Sequence, residues 1–410
     1  ITTGHSNTTL GVSSLGINTT GIYNLALGIS ALQSNTTASY NTAVGSRSLE
    51  ANTTGTENTA VGFSSLDANT TGSYNVALGS YALTTDTLGS RNVAIGRSAL
   101  QAQNFTSATS SYNTAMGYAA GAAVTTGLRN TYIGGLAGDE ATTANDNTGV
   151  GYGALSAPGT GTQNTAIGTA ALNVNTDGDN NTAVGRNALL ANTTADNNTA
   201  VGYASLTANT TGGNNTAVGY ESLLDNTTGA QNTSVGFRSL FNNTTASNNV
   251  AVGQDALYTN TTGANNVALG HSALAANTTG AQNTAVGYQA LFDNTTGVSN
   301  TAVGQVALAN NTTGGGNNAF GYHALETNTT GGSNNAFGES ALRSATTADH
   351  NSAFGNNALL SNTTGAGNQA FGNNALTANT TGSSNVAVGY NSQVLVTTGA
   401  QNTSLGAYAL

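Results

Sequence analysis

The sequence predicts an all-β chain: a parallel β-solenoid (β-roll) of 24 coils with a 17-residue repeat. The first observation behind this is periodicity. The string Asn-Thr-Ala-Val-Gly starts at Asn7, Asn24, Asn41, Asn58, Asn75 and Asn92, resumes at Asn113 after a four-residue insertion, and recurs every 17 residues to Asn402. The second is the repeat itself, N-T-A-V-G-x-x-A-L-x-x-N-T-T-G-x-x, numbered here as positions 1–17. Its Gly and its Asn-Thr-Thr-Gly would break a helix twice per unit, whereas Thr-Ala-Val is strand-like. The third is composition. The chain has 410 residues, 54 Gly, 1 Pro, no Cys, no Trp and only 6% charged residues, so its length counts repeats rather than globular domains.

The positions differ in tolerance. Position 1 is always Asn and position 5 always Gly; position 4 is always apolar, position 8 always Ala or Ser, and position 9 is Leu except at Gly121, Gly138 and Gln393. Seventeen residues cannot fold alone, so each unit is expected to be one coil stacked about 4.8 Å from the next. Twenty-four coils give a rod on the order of 115 Å.

Alternation along Thr-Ala-Val sends positions 2 and 4 to one face and position 3 to the other. Position 4 (Val184, Val201) is assigned to the interior with Leu at position 9 (Leu189, Leu206). Position 2, mostly Thr but sometimes Val, is placed inward, and Ala at position 3 faces a close-packed outer surface. Gly at position 5 (Gly45, Gly185, Gly202) ends the strand at positive φ or at a close approach. Asn at position 1 (Asn41, Asn58, Asn181, Asn198, Asn215) is expected to form a hydrogen-bonded ladder, since a polar side chain inside a narrow coil is costly unless paired. Phe320, Phe337, Phe354 and Phe371 fall on position 4 of consecutive coils and are expected to stack as a column. Such a thin core stabilises little per coil, so hydrogen bonds between coils and burial against another chain are expected to contribute.

The organisation reads as one solenoid in three stretches: regular coils over 1–100, irregular coils over 101–163, and regular coils over 164–410. The irregular stretch holds the insertion (within Gln101–Tyr112), Gly121, Gly138, Pro158, Asp139, Glu140 and Asp146. It reads either as a loop that binds a cation or partner, or as drifted coils or a bend. The acids lack the Asp-x-Asp-x-Asp-Gly spacing of a calcium loop. The chain begins at position 12 with Ile1-Thr2-Thr3-Gly4 and ends at position 9 with Leu410. Uncapped solenoid ends are adhesive, so a segment of a longer polypeptide, or a subunit stacking end to end, is expected.

Composition and motifs exclude several functions. With 7 basic and 17 acidic residues, and a net charge of −10, no basic face for nucleic acid is available. Without Cys there is no disulfide scaffold or Cys-ligated metal, and no apolar run is long enough for a membrane helix. His5, His271, His323 and His350 are scattered, and neither a nucleophile elbow nor a phosphate loop is found. No enzyme, cofactor or metal site is expected. Asn192, Asn226 and Asn294 head formal glycosylation sequons, although turn geometry and ladders explain the same residues. Tyr at position 6 (Tyr118, Tyr152, Tyr203, Tyr220, Tyr288, Tyr322, Tyr390) forms an interrupted column suited to surface contact, or is merely tolerated on a β surface. Thr columns raise ice binding. Adjacent Thr193 and Thr194 point in opposite directions in an extended chain, and the flat T-x-T pattern is missing, so ice binding is not the expected function.

The segment Asn197-Asn198-Thr199-Ala200-Val201-Gly202 resembles the N-S-V-A-I-G-x-x-S repeat of trimeric autotransporter adhesin heads of the YadA type. It is also similar to repeats in phage tail-fibre proteins. The resemblance covers the whole chain. It implies a left-handed parallel β-roll with three chains around one axis, with Thr199 and Val201 inward and Ala200 outward. The repeat here is 17 residues, against about 14 in those heads, and no stalk, neck or anchor is recognised. The function expected is an extracellular structural fibre, an adhesin shaft or head that makes multivalent contact with a glycan or matrix surface, on a cell-surface appendage or virion. The alternative is a self-assembling filament subunit. In either case the chain's main partner is itself.

Overall fold

The structure, a computed structural model, describes residues 3–157 and 159–409. Ile1, Thr2, Pro158 and Leu410 lie outside them, and with them the expected uncapped ends. The chain packs as two compact units, Ile1–Ala204 and Ser205–Leu410. The first contains the whole irregular stretch. Each unit has twelve three-residue strands at repeat positions 2–4, from Thr8–Leu10 to Thr199–Val201 in the first and from Thr216–Val218 to Thr403–Leu405 in the second. Strands pair parallel and in register with the equivalent residues of the next coil, as in Thr42↔Thr59 and Val44↔Val61, or Thr284↔Thr301 and Val286↔Val303. No helix occurs among the described residues.

Hydrogen bonds join coils around the whole perimeter, not only along the strands. In the coil starting at Asn41, the N–H groups of Thr42, Leu49 and Thr53 donate to the following coil at 2.8, 3.0 and 2.9 Å. Those of Gly45, Arg47 and Glu57 donate to the preceding coil at 2.7, 2.8 and 3.2 Å. This pattern requires backbone that turns its N–H along the stack. Positions 7, 9 and 17 adopt left-handed φ, for example 60° at Arg47, 50° at Leu49 and 59° at Glu57. A left-handed Leu costs about 1–2 kcal/mol. Its complete burial contributes about 1.5–3 kcal/mol in return. Position 5 goes further, with φ of 129° at Gly45, and a Cβ there would lie 2.5 Å from the Gly62 carbonyl oxygen. Only Gly meets both conditions.

The interior reverses the side assigned from the sequence. Ala at position 3 is fully buried, whereas the residues at positions 2 and 4 of the same strands are half-buried or exposed. Val184, Val201 and Thr199 therefore face outward and Ala200 inward. The reason is width. The coil interior also holds Ala or Ser at position 8, Leu at position 9 (Leu189 and Leu206 as expected), and in most coils two Asn, which leaves no room for a second branched side chain. The Phe320–Phe371 column forms, with near-parallel rings 4.6, 4.7 and 5.0 Å apart, but on the outer face.

Both Asn positions form ladders, by different bonds. At position 1 the side chain ties its own coil to the next: Asn41 Oδ1 accepts the Asn58 N–H at 2.9 Å, and Asn41 Nδ2 donates to the Gly55 carbonyl at 2.9 Å. Asn58, Asn181 and Asn215 repeat this scheme, and the Asn198 N–H donates to Asn181 Oδ1. The side-chain amide thus donates within its own coil, and in some coils it also donates to the preceding one, as in Asn300 Nδ2 to Asn283 Oδ1 at 3.2 Å. Position 12 carries the amide-on-amide ladder, as in Asn69 Nδ2 to Asn52 Oδ1 at 2.9 Å. Where the next coil lacks a donor, the ladder leaves a buried acceptor unpaired: Asn69 Oδ1 below Asp86, Asn328 Oδ1 below Ala345, and Asn379 Oδ1 below Val396.

The irregular stretch is a repacked interior. Tyr132 stands at position 3, where Ala is the rule, and is fully buried. Its ring takes the space left by two missing Leu: a Cβ on Gly138 would lie 2.4 Å from the ring and one on Gly121 3.2 Å. Gly149, at position 3 of the next coil, makes further room, with its Cβ site 3.1 Å from the ring. Burial pushes the Tyr132 phenol well above its ordinary pKa, and the Asn147 side chain partly offsets this. The insertion is looped out while register holds, Val93 pairing with Thr114, and Phe105 folds back to a buried position.

Candidate functional site

With Asn, Ala and Leu turned inward, each coil presents a fixed set of outward positions, and stacking repeats each as a column. The strand face shows positions 2 and 4. No charged residue occurs at either position in any coil, and position 4 supplies exposed apolar side chains such as Met116 and Ile167 in the first unit and Leu269 and Phe371 in the second. Position 2 carries Thr in six consecutive coils from Thr114 to Thr199. Thr and an aliphatic residue therefore share one outward face, in place of the inward pair expected from sequence.

Tyr118, Tyr152, Tyr203, Tyr220, Tyr288, Tyr322 and Tyr390 are all exposed at position 6. Tyr220 stacks on Phe237 at 5.3 Å and Tyr288 on His271 at 5.5 Å. His5 packs edge-on to Tyr23, and His323 Nδ1 lies 2.7 Å from Glu326. Charges pair across adjacent coils. Arg129 holds both carboxylate oxygens of Asp146, at 2.6 and 2.7 Å, which lowers the Asp146 pKa. Arg238 reaches Glu221 at 3.0 Å and Arg343 reaches Glu326 at 2.7 Å. The remaining acids of the irregular stretch, Asp139 and Glu140, line an open cleft with Ser156 and Asn173. Among the described residues no group of three or more His, Asp or Glu side chains is placed to hold a metal ion.

The sequon asparagines are not at the surface. Asn192 is buried, with Nδ2 donating to Asn175 Oδ1 at 2.8 Å and to the Ala195 carbonyl at 3.0 Å. Asn226 and Asn294 are held in the same way. A glycan on these nitrogens would break the position-12 ladder, so the folded coil leaves no place for one.

A second aromatic column, at position 17 of the first unit, was not singled out by sequence. Tyr23, Tyr40, Tyr74 and Tyr112 are exposed there. The signal was present as Tyr recurring at one register position, but its meaning depends on ring directions that only the fold supplies. Compared with known proteins, the chain matches no family model and no curated sequence.

Proposed function

We propose that the chain is a non-enzymatic, extracellular structural fibre: a solenoid shaft or adhesive head that associates with copies of itself and makes multivalent surface contacts. One observation carries this reading. Each unit repeats an uncharged face over twelve strands, mostly Thr or Val at position 2 and always apolar at position 4, a strip on the order of 55 Å long, with apolar side chains left half-bare. Soluble monomers rarely leave so extended an apolar strip uncovered. The interior also supports self-association. It holds one Leu and small or amide side chains per coil, so burial of position 4 against another chain adds the apolar contact that the coil lacks. Resemblance to trimeric adhesin heads and tail fibres favours three chains. Exposed tyrosines repeated at coil spacing let weak contacts with a glycan or matrix add through avidity.

Sedimentation equilibrium tests this. A discrete trimer supports the fibre or adhesin, concentration-dependent polymers support a self-assembling filament subunit, and a monomer at all concentrations overturns both.

A second reading gains from the outward direction of position 2. Thr hydroxyls and aliphatic side chains arrayed on one regular parallel face could order water, which suits ice binding. Inhibition of ice recrystallisation, lost in Thr165→Tyr, is the expected result for that reading.

A further inference from the structure

The position-17 column of the first unit runs Tyr23, Tyr40, Glu57, Tyr74, Arg91, Tyr112. All six adopt left-handed φ between 52° and 63°. The N–H groups of Tyr40, Glu57, Tyr74 and Arg91 donate to the position-16 carbonyls of the preceding coil at 3.0, 3.2, 3.1 and 3.0 Å. The side chains therefore leave the coil at one angle and one spacing. Tyr23 and Tyr40 stack with centroids 5.3 Å apart and planes 14° apart, so their rings lie across the column. Further along, the Arg91 guanidinium sits between two tyrosines, 5.1 Å from the Tyr74 centroid and 5.7 Å from that of Tyr112.

Glu57 occupies the equivalent rung between Tyr40 and Tyr74. It is exposed, and it takes part in none of the ion pairs among the described residues. An open cleft of about 420 Å³ is lined by Tyr40 and Glu57. Neighbouring rungs of this column hold their stacked groups 5.1–5.7 Å apart, so two rungs put the flanking rings on the order of 10 Å apart. After the ring half-thicknesses, about 6 Å remains. That gap admits a flat cation, and the aromatic rungs at Tyr40 and Tyr74 on either side favour one. At the Arg91 rung the chain fills the same gap with its own guanidinium. At the Glu57 rung it supplies a carboxylate, which pairs with a guanidinium in fork geometry.

We propose that Tyr40, Glu57 and Tyr74 form a binding slot for the guanidinium group of an arginine side chain presented by a partner protein. The charge comes from Glu57 and the stacking from the two rings. This site goes beyond the fibre reading and does not depend on it. The net charge of −10 favours approach of a basic partner.

The chain has no Trp, so Tyr40→Trp places a single fluorescent reporter in the slot while keeping an aromatic face. The intact Tyr40→Trp protein is titrated with N-acetyl-arginine methylamide, with the citrulline analogue as an uncharged isostere and the lysine analogue as a compact cation. The expected result is a saturable change with the arginine probe at tens of millimolar, with the citrulline probe at least tenfold weaker and the lysine probe weaker than arginine. Glu57→Gln in the same background is expected to weaken arginine binding at least fivefold with unchanged circular dichroism. Glu57→Arg, which fills the slot from within, is expected to abolish it. Equal response to arginine and citrulline, unchanged affinity in Glu57→Gln, or no saturable change overturns the proposal. A lysine probe that binds as tightly as arginine overturns the guanidinium assignment.

Discussion

At the scale of single residues, stability depends on positions that tolerate no variation. Gly253 has φ of 133°, and a Cβ there would meet the Gly270 carbonyl oxygen at 2.5 Å. Gly253→Ala is expected to cost about 1–3 kcal/mol from backbone strain alone, with the steric clash added. A urea midpoint equal to that of the wild type would contradict this. Asp86 presents the opposite case. It sits in the position-12 ladder, buried, accepting from the Gly89 N–H at 3.0 Å and from Gln103 Nε2 at 2.7 Å. It has no donor for Asn69 Oδ1 and no basic partner. Burial raises its pKa above the ordinary 3.8. The native state therefore binds the proton more tightly than the unfolded chain does. The stability this lends is complete below the unfolded value and is lost as pH rises through the folded one. Asp86→Asn removes the titration and supplies the missing amide donor, a bond contributing about 1 kcal/mol. Its melting temperature is expected to exceed the wild type's by a margin that widens as pH rises from 4 to 7. A constant or shrinking margin would contradict the ladder account.

At the scale of the coil, Tyr132 and the glycines around it act as one packing unit. Tyr132→Ala is expected to cost about 3–5 kcal/mol through the cavity it leaves. Gly138→Leu alone is expected to destabilise through a clash with the ring. The double variant restores the consensus pair and should recover more than 1 kcal/mol relative to the sum of the two. Additive losses in denaturant unfolding would show that the residues do not share one space. The swap was legible in sequence only as irregularity, because the link between positions 3 and 9 across neighbouring coils exists only once the coil closes. The outward direction of position 4 was more accessible. Alternation puts positions 1 and 3 on one side and positions 2 and 4 on the other, so an interior Asn at position 1 and an interior Val at position 4 are incompatible. Side-chain size alone favours Val over Ala for the interior. The narrow interior reverses it, since two amide ladders and Leu already fill the space. The period, the turn glycines and the Asn ladders needed no such choice and were legible directly.

At the scale of the molecule, the proposed self-association uses the outward face of positions 2 and 4. Val235 lies on it, half-exposed at position 4. Val235→Lys is expected to leave the circular dichroism of the coil unchanged and to weaken self-association at least tenfold in sedimentation. Retained assembly would move the contact to another face. Which side of each strand is outside decides the face available for contact, and the absence of Cys makes that directly measurable by thiol labelling of Thr301→Cys, Ala302→Cys and Val303→Cys in one coil. Cys at 302 is expected to stay unreactive in the native protein at every concentration. Cys at 301 and 303 are expected to react in dilute protein and to become protected as concentration rises. Rapid labelling at 302 with protection at 301 and 303 in dilute protein would contradict the account.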